Sequence, residues 1–198
     1  SRPHDYLTAL QTVTIPDESY ELIKQSGESN LEKILLKLDR PLVLIPGRAF
    51  EVEDNLIYSI TQWYVKALTD SGALPVIINP TEETPYLDKN GDPSLFNKLN
   101  NDIDTIKNKV KTLISISGGV MISGGPDIFK YHYEKGVTEA FSEEEKVMVS
   151  YDHARDFIEV LLAKAALFPD LHGDNCNLPF LGICRGSQIF TIAAGHGL

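Results

Sequence analysis

The 198-residue chain predicts an α/β fold: three layers, with a mostly parallel sheet and helices on both faces. Three observations point to it. Four short apolar runs, RPLVLIPG (40–47), ALPVIINP (73–80), GGVMISGGPD (118–127) and LPFLGIC (178–184), have strand length and end in Pro, Gly or a polar turn. Segments with helical spacing of apolar residues separate them, the pattern of successive strand–helix–strand crossovers. Glycine turns follow the third and fourth runs, at strand ends of the kind where such folds bind ligands.

The elements follow in order. Leu31, Ile34, Leu35 and Leu38 fall at i, i+3, i+4 and i+7, so they form one apolar helix face, with Asn30 as its N-cap. Residues 1–40 are therefore expected to be a helical extension packed on the surface of a domain spanning 41–198. RPLVLIPG suits a buried parallel strand. A helix of about 16 residues is expected next, with Leu56, Ile60, Trp63, Tyr64, Ala67 and Leu68 on one stripe and Gly72 closing its C-terminus. ALPVIINP is the second strand, and the polar stretch with the turn signal KNGDP (89–93) reads as a long loop. NDIDTIKNKVKTLI (101–114) reads as helix before the third strand. Ser142 and Glu145 form a capping box that opens a long helix with Ala154, Phe157, Ile158, Leu161, Leu162 and Ala165 on its core face. The polar loop FPDLHGDNCN (168–177) leads to the fourth strand, and RGSQIFTIAA (185–194) to a final helix.

Composition removes several function classes. Hydrophobic residues make up 42% and charged residues 23%, a globular balance. A formal net charge of −10 opposes the phosphate-backbone contacts that nucleic-acid binding needs. No apolar stretch approaches the roughly 20 residues that span a bilayer, and no signal-peptide pattern opens the chain. Two cysteines, Cys176 and Cys184, make no stapled scaffold, so a reducing, cytoplasmic setting is expected. SGGVMISGG lacks the Lys-Ser/Thr ending of a phosphate loop, and no histidine has metal-ligand spacing with Cys, Asp or Glu. No cofactor and no metal are expected.

Gly182-Ile183-Cys184-Arg185-Gly186 has the Gly-x-nucleophile-x-Gly spacing of a strand-to-helix elbow. Such a turn holds the nucleophile in a strained backbone conformation and demands small residues two before and two after it. The helix that follows points its positive end at the sulfur, an arrangement that activates a thiol, and the next backbone N–H, of Arg185, can receive an oxyanion. The pentapeptide alone equally suits a packing cysteine between glycines that serve helix–strand contact.

A wider comparison separates these readings. PFLGICRGSQIF (179–190) resembles the nucleophile segment of class I glutamine amidotransferase-like proteins, in particular their gamma-glutamyl hydrolase and gamma-glutamyl-GABA hydrolase branch. YVKALTDSGALPVIINP (64–80) is similar to that branch's first helix and second strand. ISGGPDIFKYHY (122–133) is similar to its glycine turn with a following Asp and Tyr, and RDFIE (155–159) to an Arg-Asp…Glu signature on the helix before the nucleophile. The resemblance spans about residues 41–198 and implies a flavodoxin-like sheet. It implies that Cys184 attacks a gamma-glutamyl amide and forms a thioester, with the N–H groups of Gly125 and Arg185 as oxyanion hole. It also implies that Gln188, one helical turn on, holds the glutamyl portion; the plain alternative for Gln188 is a solvent-facing helix position. Asp127 and Tyr133 have weaker roles, as a helix cap and packing, and Arg155, Asp156 and Glu159 support the fold near the site by charge-assisted hydrogen bonds.

Two departures qualify the resemblance. Lys130 stands where the branch carries Pro. The branch's catalytic His and Glu lie well downstream of the nucleophile, whereas this sequence ends 14 residues after Cys184. His196 aligns with a glycine position, His132 and His153 are not at the catalytic place, and His4 and His172 read as surface residues. The domain is therefore expected to be incomplete at its C-terminal end, with His and Glu beyond residue 198, little turnover from these residues alone, and a further chain segment or partner chain over the uncovered sheet edge. Two other readings remain: a glutaminase portion serving a synthetase, and a pseudoenzyme or interaction protein that has lost its base.

Overall fold

The computed structural model describes residues 13–28, 31–52, 55–78, 113–125, 127–128, 152–168 and 178–197. The strands are β1 (Val13–Thr14), β2 (Leu42–Pro46), β3 (Arg48–Val52), β4 (Asn55–Ser59), β5 (Leu74–Ile78), β6 (Gly119–Ile122) and β7 (Phe180–Gly182). The helices are α1 (Asp17–Ser26), α2 (Leu31–Leu38), α3 (Gln62–Asp70), α4 (Asp152–Leu167) and α5 (Arg185–Ala193).

The central sheet has the order β1-β5-β2-β6-β7, and β5, β2, β6 and β7 run parallel while β1 pairs antiparallel on β5. Every residue of β5 and of β6 is buried. Successive side chains of a strand point to opposite faces, so such burial requires cover on both. This is the expected α/β architecture of a flavodoxin-like fold. The chain passes from β2 to β5 on one side and then to β6 on the other, so its winding reverses at the β2–β6 boundary. Ligand crevices of open parallel sheets lie outside the carboxyl ends of the strands at such a reversal.

Leu44, Leu74, Val76, Ile122, Leu162 and Ile189 make the centre of one apolar core, to which Ile23 of α1 and Ile34 of α2 also belong. Residues 13–40 thus contribute both an edge strand and core side chains. Ser19 ties α1 to the sheet by donating its hydroxyl to the Pro75 carbonyl at 2.6 Å. The long helix expected before the nucleophile is α4, with Ile158, Leu162 and Ala165 buried and Leu161 packed against the core. β7 forms the far edge of the described sheet, and Phe180 (47%) and Leu181 (53%) are exposed there.

One expected element is corrected. The helix of about 16 residues expected before Gly72 starts later and is shorter, as α3, because an antiparallel hairpin, β3 paired with β4, takes up its first residues; Trp63, expected on its apolar stripe, is exposed. Leu56 lies in β4, not on a helix stripe. The reason is local: Phe50 and Val52, then Leu56 and Tyr58, recur at period two along the sequence, which favours strands over a period of 3.6. Gly72 does stand just past α3, at φ 89°, with its N–H donating to the Thr69 carbonyl. The Asn30 cap, the 89–93 turn, the Ser142–Glu145 capping box, residues 169–177 of the expected loop, and Lys130, Tyr133, His4, His132, His172 and Cys176 lie outside the described residues.

Candidate active site

The sheet register builds the site. Ile122 of β6 pairs with Gly182 of β7, so the residues two beyond each, Gly124 and Cys184, leave adjacent parallel strands side by side. A side chain built on Gly124 would stand 3.6 Å from Cys184 Cβ and 3.8 Å from the hydroxyl of Tyr64. The two glycine-rich turns therefore meet at the carboxyl edge of the sheet, as the sequence order implied.

Cys184 is exposed and sits at φ 52°, ψ −109°, immediately before α5. A non-glycine residue held there costs on the order of 1–3 kcal/mol and needs surroundings that over-determine it. Those surroundings are its two flanking glycines. A methyl on Gly182 would lie 2.6 Å from the Gly186 carbonyl carbon and 2.7 Å from the Ser187 nitrogen. A methyl on Gly186 would overlap the Ile122 carbonyl oxygen, whose carbon would be 2.8 Å away. That same oxygen accepts the Ile183 N–H at 3.0 Å. β7, the turn, α5 and β6 are thus locked at separations that only glycine allows, with the thiol on the rim. The turn is closed by Gly186 N–H to the Ile183 carbonyl and Ser187 N–H to the Cys184 carbonyl, both 2.9 Å.

The other wall is the Ser123-Gly124-Gly125 turn. Arg155 of α4, fully buried, donates from Nη2 to the Ser123 carbonyl (3.0 Å), the Ser123 hydroxyl (3.1 Å) and the Gly124 carbonyl (3.1 Å). Its Nε pairs with Glu159, one helical turn on. Glu159 also meets the Arg185 guanidinium at 3.0 Å, and Arg185 pairs with Asp156. Two guanidinium groups and two carboxylates, each residue no more than 1% exposed, so lie beneath the site and join α4 to both turns. Burial pushes the Glu159 carboxyl above its ordinary value, and the pull of Arg185 and then Arg155 only partly offsets this.

The expected site residues fall as follows. Cys184, Gly124 and Gly125, and the first residue of α5, Arg185, are brought together; Gln188 is exposed on α5, one turn beyond the cysteine. Asp127 is exposed after the glycine turn, and His196 is exposed past α5. His153 is on α4. Tyr64 falls on the apolar stripe of its helix, yet its hydroxyl lies beside Gly124. The signal for it was the hydroxyl itself, a polar group at a stripe position where Phe or Leu would pack as well. Arg185 was named for its backbone alone, and its buried side chain is the larger surprise. Among the described residues no cluster of three His, Cys, Asp or Glu side chains has metal-site geometry, and no helix is long and apolar enough to cross a membrane.

No curated protein matches the chain. Residues 101–198, which include α4, the glycine turn and the elbow, match the family model described as Peptidase C26, and this similarity supports cysteine-dependent hydrolase chemistry.

Proposed function

We propose that the chain carries the nucleophile half of a gamma-glutamyl hydrolase, cleaving a gamma-glutamyl amide through a thioester on Cys184. The carrying observation is an exposed cysteine held at positive φ between two glycines whose replacement the backbone forbids. Packing alone gives no reason to keep a strained, solvent-facing thiol there; a nucleophile does.

The thiolate sulfur attacks the gamma carbonyl carbon, and the carbonyl π electrons move to oxygen. The N–H groups of Gly125 and Arg185 stabilise that oxyanion from opposite turns. The oxyanion collapses, the C–N bond breaks, and the amine leaves with a proton, giving a gamma-glutamyl thioester. Water then attacks the thioester and returns the thiol and glutamate. Gln188, exposed one helical turn beyond the cysteine, holds the glutamyl portion. A general base must remove the thiol proton and deliver it to the amine, and by the resemblance it is a His with an acidic partner past residue 198. The amine half of the substrate would be chosen by residues outside those described, and the setting is cytoplasmic.

Acylation by an activated ester tests this without the base. The mono-p-nitrophenyl ester of glutaric acid carries the gamma-acyl chain and a leaving group that needs no proton. One equivalent of p-nitrophenolate is expected, with a glutaryl mass on Cys184 and none in Cys184→Ala, while gamma-glutamyl-p-nitroanilide is not turned over by these 198 residues. Absence of the adduct would refute the reading of the site.

A further inference from the structure

We infer that Arg155 is a positioning residue for the oxyanion hole, one that sets the direction of the Gly125 N–H through the peptide it holds from behind. This rests on the proposed role of Cys184. The Ser123 and Gly124 carbonyls both accept from Arg155 Nη2, at 3.0 and 3.1 Å, and among the described residues no peptide bond is cis. In a trans peptide the C=O and the next N–H point in opposite directions. The carbonyls of two successive peptides are turned inward to one buried guanidinium, so the N–H groups of Gly124 and Gly125 are turned the other way. Gly125 and Cys184 are both exposed, whereas the guanidinium is fully buried. Successive N–H groups aimed to one side make an anion-receiving concavity.

The close fit at Gly125 belongs to the same device. A methyl there would overlap Arg155 Nη1 and stand 3.2 Å from Cζ and 3.1 Å from Arg185 Cδ, so the guanidinium lies directly against the turn. Arg155 is itself immobilised by Glu159, which also pairs with Arg185 at the start of α5. The helix α4 therefore fixes the glycine turn through Arg155 and the elbow helix through Asp156 and Glu159, with one carboxylate common to both. The distance between the two walls of the site becomes a property of one rigid helix rather than of two loops.

The test separates attack through an oxyanion from attack without one. Acylation by the mono-p-nitrophenyl ester of glutaric acid passes through an oxyanion, whereas alkylation by iodoacetamide is a direct displacement and does not. Arg155→Lys keeps a cation for Glu159 but cannot hold three acceptors while pairing with it; Arg155→Met removes both functions. Loss of one oxyanion donor costs about 10²–10³ in rate, and misdirection of one is expected to cost about 10–100-fold in Arg155→Lys acylation, with iodoacetamide alkylation of Cys184 within about threefold of the parent and a cooperative melt retained. Arg155→Met is expected to lose at least as much acylation. Unchanged acylation in folded Arg155→Lys would overturn the inference, and so would parallel loss of both reactions, which would assign Arg155 to the fold alone. A parent protein that alkylates but never acylates would instead sink the reading of the site, and the inference with it.

Discussion

Replacing Gly186 by Ala asks whether the elbow is held by packing against β6. The added methyl would stand 2.8 Å from the Ile122 carbonyl carbon and 3.1 Å from Ile122 Cβ. Ordinary carbon contacts lie at about 3.5–4.0 Å, so α5 must retreat from the strand by roughly 1 Å. Ile122 is fully buried in a central strand and cannot yield, and its oxygen holds the Ile183 N–H at 3.0 Å. Overpacking of this kind costs about 1–3 kcal/mol, and weakening that hydrogen bond about 1 more. The sum of roughly 2–4 kcal/mol corresponds to a fall of about 6–12 °C in unfolding midpoint for a chain of this size. A 1 Å displacement of the nucleophile also costs about 10²-fold in acylation. The control is Gly197→Ala, where a methyl meets nothing within 4 Å, with an expected change within about 0.5 kcal/mol. Thermal denaturation and the p-nitrophenolate burst read both effects. A Gly186→Ala melt within 2 °C of the parent (about 0.5–1 kcal/mol for a domain of this size), together with an undiminished burst, would show that the turn is not held by contact with β6.

Three further outcomes are expected. Cys184→Gly relieves a strain of about 1–3 kcal/mol against an entropy cost of about 0.5–1, so it should melt no lower than the parent while forming no acyl adduct; a clear drop in its melting temperature would argue against strain at this position. Glu159 binds its proton more tightly in the folded chain than in the unfolded one, so its contribution to stability is complete below the unfolded value of 4.5 and is lost as pH rises through the higher folded value. Glu159→Gln should therefore flatten the decline of melting temperature above pH 4.5, and an identical slope in parent and variant would count against this. Gln188 is exposed, so Gln188→Ala should leave stability within about 0.5 kcal/mol but raise the ester concentration giving half-maximal acylation; an unchanged concentration dependence would remove it from the site.

The strands and the elbow were legible because their signals are local. A run such as LPVII is apolar at every position, and a glycine two residues either side of a cysteine states a steric requirement within five residues. Two local signals compete at Leu56, which fits both the start of the helical stripe and the period-two pattern of residues 50–58, and pairing of β3 with β4 decides for the strand. Residue identities and their spacing thus determined by themselves the α/β class, the glycine turns and the choice of Cys184 as candidate nucleophile. Only tertiary structure decided what lies beneath that cysteine. The family resemblance implies that Arg155, Asp156 and Glu159 support the fold near the site, but not with which partners, and Arg185 reads from sequence only as the residue after the nucleophile. Their burial and mutual pairing depend on where α4 crosses β6 and α5, contacts between residues 26 to 32 positions apart that no local pattern encodes. The placement of the Tyr64 hydroxyl at Gly124 has the same origin, because strand register and sheet order, not neighbours in the chain, bring those two together.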